Sequence, residues 1–253
     1  MKTDDVFLLK NEKISDAERE ISRSFVSDVA HELRTPVAVI RGSLEALCDG
    51  IITEHEQVEE YHRQMLAESI YLQRLVTDLL EFSRLQSSSF NIVREPVCLS
   101  DVVSNVCRSI RQLAEKKNIK LLRTGSPAPY IVNGDYARLR QMMIVVLENA
   151  VKFTPEGGSI TVSEEESDGK MNITVTDTGC GIPEGEADRI FVKYHRSFSG
   201  ENRNGTGLGL AIAKEIAERH DAVISVKSKP GEGASFTFSF SECMTEEELR
   251  SFE

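Results

Sequence analysis

No two of the five cysteines form a Cys-x-x-Cys pair: Cys48, Cys98, Cys107, Cys180 and Cys243 are odd in number and far apart. That spacing speaks against a disulfide scaffold and a cysteine-built metal site, and fits a reduced, cytoplasmic compartment. Long apolar runs are missing as well. Nothing approaches the ~18 continuous apolar residues of a membrane span, and no signal peptide is expected. The segment is expected to make no membrane contact of its own, whether it stands alone or is the cytoplasmic portion of something larger. Positive charge is in short supply, with 30 Lys+Arg against 41 Asp+Glu and a net charge of -11. That balance argues against an extended nucleic-acid or anionic-membrane surface. What is present suffices for a folded protein: 253 residues, 40% of them hydrophobic, allow two ordinary domains with a sizeable core.

Residues 14–48 read as one long amphipathic helix. Val26, Val29, Ala30, Leu33, Val37, Ile40, Leu44, Leu47 and Ile51 recur mostly in steps of three and four, lining one face. His31 points away from that stripe; Thr35, one turn on, shares its outward face, and Glu32 sits at the flank. A histidine on the wet side of a helix is reachable by another molecule, and near neutral pH much of it is imidazole able to attack an electrophile. Pro36 removes a backbone donor and is expected to kink the helix just after His31. Asp49-Gly50-Ile51-Ile52-Thr53 breaks the helix, and Thr53 with Glu56 has the form of a capping box for a second helix over 54–86. The expected seam of that helix is Val58, Tyr61, Met65, Leu72, Val76 and Leu79. A lone antiparallel hairpin leaves much of its apolar face wet, so a homodimer closing a four-helix bundle is expected.

Gln86-Ser87-Ser88-Ser89 is a polar linker and the expected domain boundary. Beyond it strands and helices mix. Ser100 is expected to cap a helix reaching Lys117, followed by short strands at 120–123 and 130–132 and a helix capped by Asp135 that ends at Phe153. Strands over 159–165 and 171–177, a glycine-rich stretch over 179–207, a helix over 208–219 and strands over 223–227 and 234–239 complete the pattern. The order predicts an α+β domain with helices on one face of a mixed sheet.

Four motifs in this domain carry chemistry. In Glu148-Asn149-Ala150-Val151-Lys152-Phe153, at a helix end, a carboxamide oxygen suits Mg²⁺, and Lys152 at i+3 can meet phosphate. In Asp177-Thr178-Gly179-Cys180-Gly181 a strand delivers a carboxylate able to accept from an exocyclic amino group, and the glycines let the backbone approach a ligand closely. In Asn204-Gly205-Thr206-Gly207-Leu208-Gly209-Leu210 the glycines lead into a helix N-terminus, an anion-binding place. It is neither a Walker loop nor a Rossmann fingerprint. The fourth, Gly231-Glu232-Gly233, reads equally well as a plain hairpin turn. Taken singly, each has a bland reading as a cap, a turn or a solvated surface.

In this order, the set resembles the N-box and successive glycine boxes of the Bergerat-fold ATPases. His31-Glu32-Leu33-Arg34-Thr35-Pro36 matches an H-box, and together they resemble the catalytic core of a sensor histidine kinase from about Ile14 to Phe240. The resemblance implies an α hairpin forming a dimeric four-helix bundle, followed by an α+β Bergerat-fold sandwich. Its expected divisions are a lead-in at 1–14, a dimerisation and phosphotransfer domain at 15–87, a linker at 88–95, an ATP-binding domain at 96–241 and a tail at 242–253. It further implies ATP and Mg²⁺ as cofactors and a response-regulator receiver domain as partner. His31 would be the phosphorylated nucleophile and Glu32 its acidic partner. Thr35 matches a position that places water for dephosphorylating the regulator. Asn149 would hold Mg²⁺, Lys152 the phosphates, Phe153 the adenine ring and Asp177 its amino group. Gly179 and Gly181 would shape that end of the pocket. Gly205, Thr206, Gly207, Leu208, Gly209 and Leu210 would close over the phosphate tail. Arg196, in a stretch like an F-box, would contact the γ-phosphate, and Ser197–Asn204 would form a lid.

Two positions depart from the pattern. Val145 stands where kinases of this family often carry a second Asn and related ATPases an acidic residue, so hydrolysis to water should be poor. Tyr194 occupies an F-box place usually held by Phe. The competing readings are a Bergerat ATPase that releases free phosphate and a scaffold that binds the regulator without nucleotide.

Overall fold

The computed structural model describes residues 27–87, 90–125, 129–167, 169–195, 205–241, 243–244 and 249. Its helices and strands divide into two compact units, one ending at Thr77 and the other beginning at Asp78.

The first unit is a helical hairpin. Helix α1 covers 27–48 and α2 covers His55–Gln86, with Gly50 taking a left-handed φ of 68° in the turn. Only glycine enters that region without steric cost. The part of the expected first helix before residue 27 lies outside the described residues. α1 continues unbroken through Pro36, which is buried. Tyr71 donates to Glu32 at 3.2 Å, tying two positions similarly far from the turn and so fixing an antiparallel pair. Leu33, Ile40 and Leu47 are half-buried, yet Val37, Leu44, Ile51, Leu66 and Ile70 stay between 43% and 71% exposed. The α2 seam differs from the expected one at a single step. Val76 is 43% exposed, whereas Leu75 is buried and the line continues through Phe82 and Leu85. One residue turns the helix by about 100°, so a stripe read one position late faces water.

The second unit takes the last turns of α2 with it, so the division falls inside the helix, before the Gln86–Ser89 linker. Glu81 is ion-paired with Arg138, Lys193 Nζ lies 4.4 Å from the Phe82 ring centroid, and Gln86 donates to Glu215 at 3.4 Å. Strands β1 (Glu95–Cys98) and β3 (Ile131–Gly134) form a small antiparallel sheet. β1 is absent from the sequence reading, because Pro96 and a four-residue length hide it. The main sheet has the order β2-β4-β5-β7-β6, built from Lys120–Thr124, Ser159–Ser167, Lys170–Asp177, Ala234–Phe240 and Ala222–Ser228 respectively. β2 and β4 run parallel and the other neighbours antiparallel, so the sheet is mixed, as expected.

Helices α3 (Leu99–Lys116), α4 (Tyr136–Phe153) and α5 (Gly209–Arg219) supply the rest of the core. Val106, Met142, Val146 and Ile212 are buried together with Ile160, Ile173 and Phe238 of the sheet. Truncating a ring buried as fully as that of Phe238 costs ~3–5 kcal/mol. Alternate residues of the same strands form a hydroxyl face, with Thr174 bonded to Thr237 at 2.9 Å and Thr176 to Ser235 at 3.0 Å. Asp135 caps α4 as expected, accepting from Arg138 N at 3.2 Å. Ser100 does not cap α3. The N-cap is Cys98, without a side-chain bond, and the Ser100 hydroxyl instead accepts from Arg123 at 2.6 Å. No helix among the described residues is long and apolar enough to cross a membrane.

One buried histidine joins two of these helices. His220, at the end of α5, donates from Nδ1 to Ile216 O at 2.7 Å and accepts at Nε2 from Asp135 N at 3.0 Å. Burial lowers its pKa below 6.5, the Ile216 bond opposes the shift, the Arg94 charge adds to it, and Asp135 and Asp221 oppose it. The folded state therefore binds less proton than the unfolded chain below about pH 6.5. Stability is full above that pH and falls as the pH drops toward the folded pKa. Thermal melts between pH 7.5 and 5.5 should show a steeper loss for wild type than for His220→Gln; parallel lines would refute the assignment.

Candidate functional site

In the first unit, the structure places His31 and Thr35 on the exposed face of α1 and Glu32 half-buried beside them. The Thr35 hydroxyl lies 3.5 Å from His31 O. Tyr71, which no sequence motif marked, orients the Glu32 carboxylate from α2. Its signal was invisible because the pairing depends on the register of two helices.

In the second unit, the four motifs converge. β5 carries Asp177 to the sheet's end, where it is only 5% exposed. Its Oδ1 accepts from Gly179 N at 2.8 Å and Ala234 N at 3.3 Å. Burial raises its pKa, and the two backbone bonds oppose the shift. Among the described residues nothing bonds Oδ2, which leaves one oxygen as an acceptor for a ligand. A Cβ on Gly179 would lie 2.7 Å from both Asp177 Oδ1 and Phe153 O, so the end of α4 presses directly on the Asp177 turn.

The Gly231-Glu232-Gly233 turn belongs to the same site. Gly231 N donates to Cys180 O at 2.8 Å, a Cβ on Gly181 would stand 2.0 Å from Lys229 O, and one on Gly233 would stand 2.0 Å from Asp177 O. This turn is thus stacked on the Asp177 loop, and the plain-hairpin reading of its glycines is set aside.

Asn149, Lys152 and Phe153 occupy the last turn of α4, all half-buried. Lys152 Nζ lies 4.9 Å from the Phe153 ring centroid, and a Cβ on Gly205 would come within 3.1 Å of it. The cationic end of Lys152 therefore sits at the start of the third motif. There Gly207 has φ 72° and accepts from Tyr194 N at 2.9 Å, which brings the 190–195 segment against the glycines. Gly209 opens α5 so close to α4 that a Cβ would lie 3.1 Å from Val145 Cγ1. The Thr206 hydroxyl donates to Asp78 at 2.6 Å, and Leu208 is fully buried. Those two side chains face the protein, and Leu208 N donates to the Thr206 hydroxyl at 3.3 Å, so neither side chain is offered to a ligand there. Leu210 is half-buried. Arg196 and the 197–204 stretch lie outside the described residues.

The donor chemistry at α4 fits Mg²⁺. Among the described residues there is no cluster of three His, Cys, Asp or Glu that could cage a metal, and Asn149 offers a single neutral oxygen. Mg²⁺ keeps several waters and takes its other ligands from phosphates, so one protein oxygen suffices.

A phospho-acceptor hairpin and an ATPase-type α+β domain joined in one chain define a phosphotransfer core. Residues 21–88 match the His Kinase A phospho-acceptor domain, and residues 134–243 match the histidine kinase-, DNA gyrase B- and HSP90-like ATPases. The sensor-like histidine kinase SenX3 of Mycolicibacterium smegmatis is 32% identical over 225 residues, covering 87% of this chain and 57% of the relative. The phosphate regulon sensor protein PhoR of Pseudomonas aeruginosa is 31% identical over 233 residues, covering 91% of this chain and 52% of the relative. The chain thus spans about half the length of these curated relatives. Among solved structures, full-length ShkA in complex with AMPPNP aligns with a TM-score of 0.64 at 27% identity, covering 87% of this chain and 46% of that one. The chain belongs to the sensor histidine kinases and carries their catalytic core.

Proposed function

We propose that this chain uses ATP with Mg²⁺ to phosphorylate His31 and passes the phosphoryl group to an aspartate of a response-regulator receiver domain. The observation that carries the proposal is the pairing, in one polypeptide, of an exposed His31 flanked by Glu32 with a cluster of glycine-framed loops around the buried Asp177. Asp177 Oδ2 accepts from the adenine amino group. Lys152 and the backbone N–H groups of Gly205–Leu210 hold the phosphates. Phe153 lies against the base, and Gly179 and Gly181 let the chain close on it. Asn149 would hold the metal, which when bound would offset charge on the phosphates. The His31 ring nitrogen attacks the γ-phosphorus, the bond to the bridging oxygen breaks and ADP leaves. The ring proton passes to Glu32, held by Tyr71. Thr35, on the same face, places water for the reverse duty of dephosphorylating the regulator. The exposed apolar residues of the hairpin support a homodimer, since a second copy would cover them.

The hydrolytic alternative is disfavoured by Val145, which packs on Gly209 and offers no base, and by Glu148, which is exposed on another side of α4. Incubation with γ-labelled ATP and Mg²⁺ tests the choice. Acid-labile, alkali-stable label on the protein is expected, with little free phosphate. Rapid phosphate release without protein label would sink the proposal.

A further inference from the structure

Two carbonyls at the end of α4 share one ammonium group. Lys117 Nζ lies 3.0 Å from Val151 O and 2.8 Å from Lys152 O. A helix leaves its last four carbonyls without partners of its own. Here Ala150 O is taken by Thr154, through its N–H at 3.0 Å and its hydroxyl at 2.6 Å, and Lys117 takes the next two. A surface lysine ordinarily keeps its charge in water. Lys117 is half-buried, and its charge ends on the negative pole of a helix.

The lysine is itself well anchored. It is the C-cap residue of α3, and its N–H donates to Ala114 O at 3.0 Å. Its neighbour Asn118 has a φ of 53° and donates from its amide to Glu156 at 2.7 Å. Lys120 N donates to Gly158 O at 3.0 Å. The corner between α3 and β2 thus grips the 151–158 segment at three successive levels.

The gripped residues reach the nucleotide site from their other side. Lys152 presents its own ammonium to Gly205, and Phe153 O presses on Gly179 beside Asp177. We propose that Lys117 is a positioning residue for nucleotide: its ammonium holds the last turn of α4 in place, and with it Asn149 and Lys152, without touching the ligand. The proposal rests on reading that turn as part of a Mg–ATP cradle. Without the ammonium the last turn frays and the lysine–glycine contact loosens. Nucleotide binding then weakens, while the phosphoryl-transfer step, once nucleotide is bound, is little changed.

The test uses the full chain with Lys117→Met, which keeps the stem and removes the charge, and Lys117→Arg, which restores donors. Mg–ADP affinity is read with a fluorescent adenine nucleotide, and KM and kcat by autophosphorylation, at a temperature where circular dichroism shows every variant folded. Lys117→Met should raise Kd and KM roughly tenfold with kcat within about threefold, and Lys117→Arg should recover most of the affinity. A folded Lys117→Met with unchanged affinity would overturn the proposal. If Lys117→Met does not fold, the milder Lys117→Gln is read the same way; failure of both to fold marks a purely structural role and also overturns it. Lys152→Met separates the two levels. Unchanged affinity there refutes the cradle itself, whereas weakened affinity beside an unaffected Lys117→Met refutes only the role of Lys117.

Discussion

His31→Gln should take up almost no label from γ-labelled ATP while it still binds nucleotide as wild type does. The ring is exposed on α1, so its loss removes no buried contact and should leave the melting temperature within about a degree. Glutamine has no nucleophilic nitrogen, so the phosphoryl group has nowhere to go, and incorporation should fall by roughly 10³-fold or more. Because nucleotide is held by the second unit, the fluorescent-nucleotide Kd should move by less than about twofold. A variant that still acquires acid-labile label would place the acceptor elsewhere. One that stays unlabelled yet releases phosphate at the wild-type rate would favour the hydrolytic reading.

Gly181→Ala should be among the most damaging single methyl groups in the nucleotide unit. The residue has a φ of 71°, which costs an alanine ~1–2 kcal/mol, and its Cβ would stand 2.0 Å from Lys229 O. A backbone carbonyl cannot step aside as a side-chain tip can. The Asp177 loop and the 229–233 turn must separate, at a total of roughly 3 kcal/mol or more. Gly231→Ala supplies the control. Its φ is 80°, but nothing lies within 4 Å of its Cβ, so it incurs only the conformational part. The melting temperature of Gly181→Ala should drop by at least about 6 °C, against ~2–4 °C for Gly231→Ala, with nucleotide affinity lost only in the former. Equal drops would mean that the two turns are not packed as described.

Much of this molecule was readable from local signals. The helix period placed His31 on the wet face, Asp135 announced the start of α4, and alternation placed β4, β5 and β7. The glycines of the four motifs were flagged by type and order. Other features had no such signal. β1 is too short and proline-bearing to stand out, Leu75 was passed over for its neighbour, and Ser100 looked like a cap although Arg123 claims it. The role of Gly233 depends on which strand lies beside β5, and that is settled by the order of the sheet.

By itself the sequence determined the element types, the outward position of His31 and the boxes that name the family, because period, propensity and turn chemistry act over a few neighbouring residues. Only the tertiary structure decided the partners: Tyr71 for Glu32, Asp78 for Thr206, His220 for Asp135 and Lys117 for the end of α4. Each joins residues far apart in the chain through one or two directional hydrogen bonds. Whether such a bond forms depends on helix register and packing to within an ångström, which no local pattern encodes.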